Sequence, residues 1–222
     1  MSKPVSWSYS SMSLFQQCPQ KYYRLRIVAD VKNPTSQAMS YGLEAHKIAE
    51  EYIRDGKAIP KTHHYMKAML DKLRSLDGEK LCEQKLGLTE DLQPCSFSAK
   101  NVWWRGIADL LILQNDVARI VDYKTGKSTY ADTKQLELLA LAVFKHYPEV
   151  QKVKSALLFT VHNDFVTAEY ERAKEEELWV KWRQEADRLA ASVTNNVWNP
   201  TKNFTCRKWC PVTDCPHNGR GA

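Results

Sequence analysis

The sequence predicts an α/β fold: a core of strands and helices, with a helical elaboration before it and an appendage after it. Three observations carry this. Apolar residues recur at helical spacing through much of the first 78 residues, and again over 132–147 and 174–194. Between these lie β-rich runs at 80–88, 102–113, 117–123, 153–161 and 164–170, split by turn signals. The last segment, 204–222, carries three cysteines and little else that could build a core.

Each element has a local reason. Residues 8–26 open on serines, which favour helix starts, and place Leu14, Cys18 and Tyr22 at helical spacing. Pro19 divides that stretch into one short helix or two. Residues 38–55 read as a helix with Leu43, His46, Ile48 and Ile53 near one face, ended by Gly56 and Pro60. Residues 62–77 read as another helix, with the adjacent His63 and His64 left on the surface. Gln114-Asn115-Asp116 marks a hairpin between two strands. Asp132 is placed to cap the apolar helix that follows. In the last long helix Leu178, Trp179, Trp182 and Leu189 form an apolar stripe, read as core. The expected organisation is one domain over 1–222. It divides into a helical part (1–78), a core (79–172), and a C-terminal helix with a cysteine-rich tail (173–222).

Composition excludes several classes. The N-terminus has no apolar stretch of a signal peptide, and no run reaches the roughly 18 apolar residues of a membrane span. A soluble cytoplasmic protein without a membrane partner is therefore expected. The formal charge of +6 suits a phosphate-rich partner. Aromatic and basic residues interleave at Lys21–Arg26 and Trp103–Arg105, a mixture that can stack bases, although such aromatics are more often core. Lys127, in a glycine-containing turn, is a candidate phosphate contact.

The most informative stretch is Gly106-Ile107-Ala108-Asp109, then Val121-Asp122-Tyr123-Lys124-Thr125-Gly126-Lys127. Asp122 and Lys124 are two apart, so on a strand both point to one face. Asp109, from the neighbouring strand, can lie alongside. Two converging carboxylates repel and raise each other's pKa unless a cation separates them. A hard divalent ion with oxygen ligands, Mg²⁺ or Mn²⁺, resolves this. Such an ion polarises a phosphoryl oxygen and acidifies bound water, and Lys124 would stabilise the charge growing on phosphorus. On spacing alone, a surface ion pair between Asp122 and Lys124 explains the pattern equally well.

The run GIAD…VDYKTGK resembles the signature of the PD-(D/E)XK nuclease superfamily, in particular its RecB-like branch, where GxxD is followed by DYKTG. Gly42-Leu43-Glu44-Ala45-His46 is similar to that branch's GxxxH motif, Glu83 to its first-strand glutamate, and Gln135 to the start of its QxxxY motif. The resemblance spans residues 8–145. Ala108 stands where the superfamily name has proline, and Leu139 where tyrosine would complete QxxxY. The resemblance implies a restriction-endonuclease-like core: a central mixed sheet flanked by helices. It implies a metal site of His46, Asp109, Asp122 and Tyr123, and a catalytic set of Lys124, Asp109, Asp122, Glu83 and Gln135. It implies a Mg²⁺- or Mn²⁺-dependent DNA exonuclease working on single strands or strand ends, in recombination, repair, or phage or CRISPR DNA processing, with a helicase or recombination partner. The alternative is a catalytically weak DNA-binding module of such a complex, which would be expected to lose the lysine or a carboxylate; all are present.

Cys206, Cys210 and Cys215 fall within ten residues, and Cys18 lies far upstream. Four thiolates suit one Zn²⁺ or one [4Fe–4S] cluster, and the CxxC knuckles usual for zinc are absent. Some RecB-like nucleases hold a [4Fe–4S] cluster with one cysteine before the nuclease core and three after it. That resemblance implies the cluster here, although CxxxCxxxxC displaces the middle cysteine by one. It would pin the tail back on Cys18. Cys82 is expected to be buried on its strand, and Cys95 to lie in a loop.

Overall fold

The computed structural model describes residues 5–34 and 36–219. Helices α1 (Tyr9–Gln17) and α2 (Pro19–Tyr22) run into a π-helical turn over Tyr23–Ile27. Next come α3 (Gln37–Asp55), a 3₁₀ turn over Lys61–Met66, and α4 (Lys67–Ser75). Strands β1 (Glu79–Leu88), β2 (Pro94–Cys95), β3 (Trp104–Gln114) and β4 (Val117–Lys124) lead to α5 (Lys134–His146). Strands β5 (Lys152–Phe159) and β6 (Asp164–Glu171) and helix α6 (Glu175–Asn195) follow.

One six-stranded sheet, ordered β2-β1-β3-β4-β5-β6, organises the molecule. All neighbours are antiparallel except β4 and β5, which are parallel. A parallel pair needs a crossover, and α5 supplies it. The β3–β4 hairpin turns at Asn115, whose φ of 52° is a left-handed value that asparagine tolerates. On one sheet face, α5, α1 and α6 bury Phe144, Met12, Trp179 and Trp182 against Leu111 and Ile120. On the other, α3 and α4 bury Tyr52, Ile53 and Leu70 against Leu110, Ile112 and Tyr123. The chain is therefore an α/β protein with a mixed sheet flanked by helices.

The strand alternation slips at one level. In β1, Leu81 packs on the α5 side and Cys82 on the α3 side; beyond Glu83, Leu86 and Leu88 both return to the α5 side. In β3 the same slip separates Leu110 from Ala108 across Asp109. The ladder pairs Cys82 with Leu110 and Gln84 with Ala108 but omits the intervening pair. Glu83 there adopts φ 50°, a conformation costly for a residue other than glycine. The strands thus exchange faces without inserting a residue.

Several expectations need correction. The buried face of α3 is Ala45, Ala49, Tyr52 and Ile53; Leu43 is 70% exposed, because the small alanines let the helix approach the sheet on their side. His63 is buried, not on the surface, since the 3₁₀ turn directs it inward to stack on Tyr41 at 5.3 Å. Cys82 is half-buried, and Cys95 lies in the two-residue edge strand β2 and not in a loop. Thr133 occupies the cap position of α5; Asp132, one residue earlier, accepts from the Lys134 N–H at 2.9 Å. The stripe of α6 is core: Trp179, Trp182 and Leu189 are buried.

The C-terminal segment lies on the N-terminal helices. Trp198 stacks on Tyr22 and Tyr23, Asn203 Nδ2 donates to the Gln17 carbonyl at 3.2 Å, and Arg24 pairs with Asp214 at 2.7 Å. Among the described residues no helix is long and apolar enough to cross a membrane.

Gly106 leaves no room for a side chain. A Cβ there would lie 2.7 Å from the ring of Trp104, which is buried and has nowhere to move. Gly106→Ala is therefore expected to lower unfolding stability by about 1–3 kcal/mol, read as a lower urea midpoint at unchanged slope.

Candidate active site

Five elements deliver side chains to one open cleft of about 700 Å³. The face exchange in β1 and β3 releases Glu83 and Asp109 from the ladder. The last turn of strand β4 presents Asp122 and Lys124, α3 presents His46, and the first turn of α5 presents Gln135. The structure thus brings together six residues that the sequence singles out.

They form two linked groups. Ligand atoms of His46, Glu83 and Asp109 lie within 4.8 Å of one another. His46 Nδ1 is 3.3 Å from Asp109 Oδ2, and the Tyr123 N–H donates to that same oxygen at 2.7 Å. The second group is a triangle. Gln135 Nε2 donates to Asp122 Oδ1 at 2.7 Å, Lys124 Nζ sits 2.5 Å from Asp122 Oδ2, and Lys124 Nζ donates to Gln135 Oε1 at 3.3 Å. One amide thereby orients both a carboxylate and an ammonium.

Tyr123 needs a distinction. Its phenol is buried on the α3 side of the sheet, where burial and the nearby Asp109 charge hold its pKa far up. Its main chain holds Asp109, and its ring stands edge-on to His46 at 5.9 Å.

The electrostatics show an excess of negative charge. Burial raises the Asp122 carboxyl to about 6, the Asp109 charge adds to this, and Lys124 offsets part of it. Burial also raises Glu83, helped by the charges of Asp109 and Glu50. Burial works against charging His46, but its contact with Asp109 and the Asp122 charge outweigh this and raise its pKa. Three carboxylates and one imidazole are a donor set that fits a hard divalent cation. Glu50 was not anticipated. It lines the cleft one helical turn after His46, and that i, i+4 spacing was the available signal.

The cysteines gather elsewhere. Cys18, Cys206, Cys210 and Cys215 line one small cavity, and all are free thiols. Backbone N–H groups of Thr201 and Asn203 point at Cys18 Sγ and Cys206 Sγ, each at 3.4 Å.

With fold and cleft described, the comparisons become informative. The PD-(D/E)XK nuclease superfamily profile matches residues 6–215. The chain belongs to the PD-(D/E)XK nuclease superfamily. Among solved structures, the "Putative exonuclease" from Eubacterium rectale aligns with a TM-score of 0.52 at 12% identity, over 92% of this chain and 86% of that one. That likeness is one of fold. The crystal structure of SSO0001 aligns with a TM-score of 0.43 at 14% identity, over 98% and 89% of the two chains. No curated protein matches this sequence.

The raised Asp122 pKa sets a stability prediction. A carboxyl whose folded pKa lies above its unfolded value favours the fold when protonated, and that contribution is lost as pH rises through about 6. In metal-free protein at pH 8, Asp122→Asn is expected to raise stability by about 1–3 kcal/mol. The gain should shrink below pH 6 and vanish near pH 4, as followed by urea denaturation.

Proposed function

We propose that this chain is a Mg²⁺- or Mn²⁺-dependent deoxyribonuclease, an exonuclease acting on single-stranded DNA or strand ends. The observation that carries this reading is the single cleft joining the His46–Glu83–Asp109 group to the Asp122–Lys124–Gln135 triangle. His46, Glu83 and Asp109, with Asp122 adjoining, would hold the ion. When bound, it supplies Lewis-acid polarisation of a phosphoryl oxygen and a lowered pKa for bound water.

The protein's own groups do the rest. Lys124 carries the positive charge that offsets charge growing on the phosphoryl group and orients the attacking water. Gln135 fixes Lys124 by accepting from it, and fixes Asp122 by donating to it. The Tyr123 N–H holds Asp109 in place without neutralising it. Leu139 takes the place of the tyrosine of QxxxY and is buried in the cleft wall, so that wall is apolar. Preference for single strands or ends, and service beside a helicase in recombination, repair or phage or CRISPR DNA processing, rest on the RecB-like resemblance.

The cysteine cavity is part of the same proposal. Four free thiols around one cavity, two of them receiving backbone N–H groups, suit a [4Fe–4S] cluster, whose sulfurs accept such bonds. A single Zn²⁺ with Zn–S of about 2.3 Å would draw the sulfurs to within about 4 Å of each other. Among the described residues no group of three cysteine sulfurs lies within 4.8 Å. The cluster would tie the tail to α1 and α2.

Two measurements test this. Labelled single- and double-stranded DNA, with free or blocked ends, should be degraded with Mg²⁺ or Mn²⁺, and Lys124→Ala or Asp122→Ala should lose activity by a hundredfold or more, about the scale of removing a transition-state contact. Wild-type inactivity with every metal, or full activity in both variants, contradicts the nuclease reading. Anaerobically purified protein should absorb near 400 nm (a region expected for iron–sulfur chromophores), and Cys210→Ser should abolish that band. A colourless protein containing stoichiometric zinc contradicts the cluster.

A further inference from the structure

A second cavity of about 670 Å³ opens beside the candidate active site, under the N-terminus of α1. The two share four lining residues, Ser8, Ser10, Phe97 and Arg105, so they form one continuous depression. Their chemistry differs. The first is walled by carboxylates; the second has none among the described residues, and is lined instead by Arg26, Arg105 and serine hydroxyls.

Its cations are uncommitted. Arg24, one helical step from Arg26, is consumed by Asp30 and Asp214. Neither Arg26 nor Arg105 has a carboxylate within ion-pair distance among the described residues, while the Lys85 charge acts on Glu83. Arg105 and Lys85 instead lie over the half-exposed Phe97 ring, at 5.6 and 5.9 Å from its centre. An aromatic ring flanked by cations, next to a row of hydroxyls, offers both a stacking surface and phosphate contacts. A duplex keeps its bases stacked on each other, so only an unpaired strand can use the ring.

We propose that this second cavity is a subsite for single-stranded DNA, in which Arg105 and Arg26 hold phosphates and Phe97 stacks a base. The strand would run from the cleft of Asp109 and Lys124, across the ring, to the π-helical turn that carries Arg26. For the identity of its occupant the proposal rests on the nuclease reading. Mechanistically the subsite is remote from bond breaking: it holds the substrate flank and supplies the length preference.

The test measures binding in EDTA, which prevents hydrolysis, with a fluorescein-labelled 20-nucleotide single strand followed by anisotropy over a salt series. Each phosphate contact removed should lower the slope of log Kd against log salt by about 0.7. Arg26→Ala and Arg105→Ala should each do so, while Arg105→Lys should retain the slope. Phe97→Ala should weaken binding roughly tenfold with the slope intact, and Phe97→Trp should restore affinity, because stacking carries no charge. Wild-type slope and affinity in all the alanine variants overturn the subsite. If wild-type protein cleaves DNA while these variants bind normally, the nuclease reading stands and the subsite falls. If wild type binds with the stated pattern yet cleaves nothing with any metal, the subsite stands and the nuclease reading falls. Failure of wild type both to bind and to cleave overturns both.

Discussion

The structure depends on keeping three carboxylates, only partly offset by Lys124 and His46, close together at the end of a sheet whose interior is apolar. Asp109 and Asp122 come from neighbouring strands, and Glu83 from the strand beyond. Their mutual repulsion adds to the cost of removing each from water, and both effects push the Asp122 and Glu83 carboxyls up. The fold meets it with fixed donors that orient the carboxylates without neutralising the group: the Tyr123 N–H on Asp109, the Gln135 amide and Lys124 on Asp122.

The sheet's irregularity follows from the same need. Perfect period-two strands would send Asp109 and the residues around Glu83 into the packed faces. The coordinated slip in β1 and β3, with Glu83 in a left-handed conformation, releases both side chains at one level without changing register. Such strain persists where surrounding structure over-determines it, and here Leu86, Leu88 and Ala108 are locked in the core beyond the slip. Gly106 belongs to this device, because Trp104 occupies the space a side chain would need.

Much of this was legible in the residues. The order of helices and strands and the Asn115 hairpin follow from the sequence pattern, and Asp122, Lys124, His46, Glu83 and Gln135 all reach the cleft. What was not legible depends on tertiary context. Alternation in residues 80–88 gave no sign of a face exchange, since a positive φ at glutamate has no sequence signal. His63 looks polar and exposed until Tyr41 is seen to stack on it, and Leu43 looks like core until the alanine face of α3 is seen to win. The phenol of Tyr123 packs in the core, so any metal contact there uses the main chain. The four cysteines, distant in sequence, meet only because the C-terminal segment lies across α1 and α2.

His46, Glu83 and Asp109 converge as a donor set for a proposed divalent ion. Manganese-soaked crystals examined by anomalous scattering test it most directly. The account predicts a peak within ligating distance of His46, Glu83 and Asp109, beside Asp122, that disappears in Asp109→Asn. Crystals that bind manganese elsewhere, or show no peak between these side chains, would contradict it.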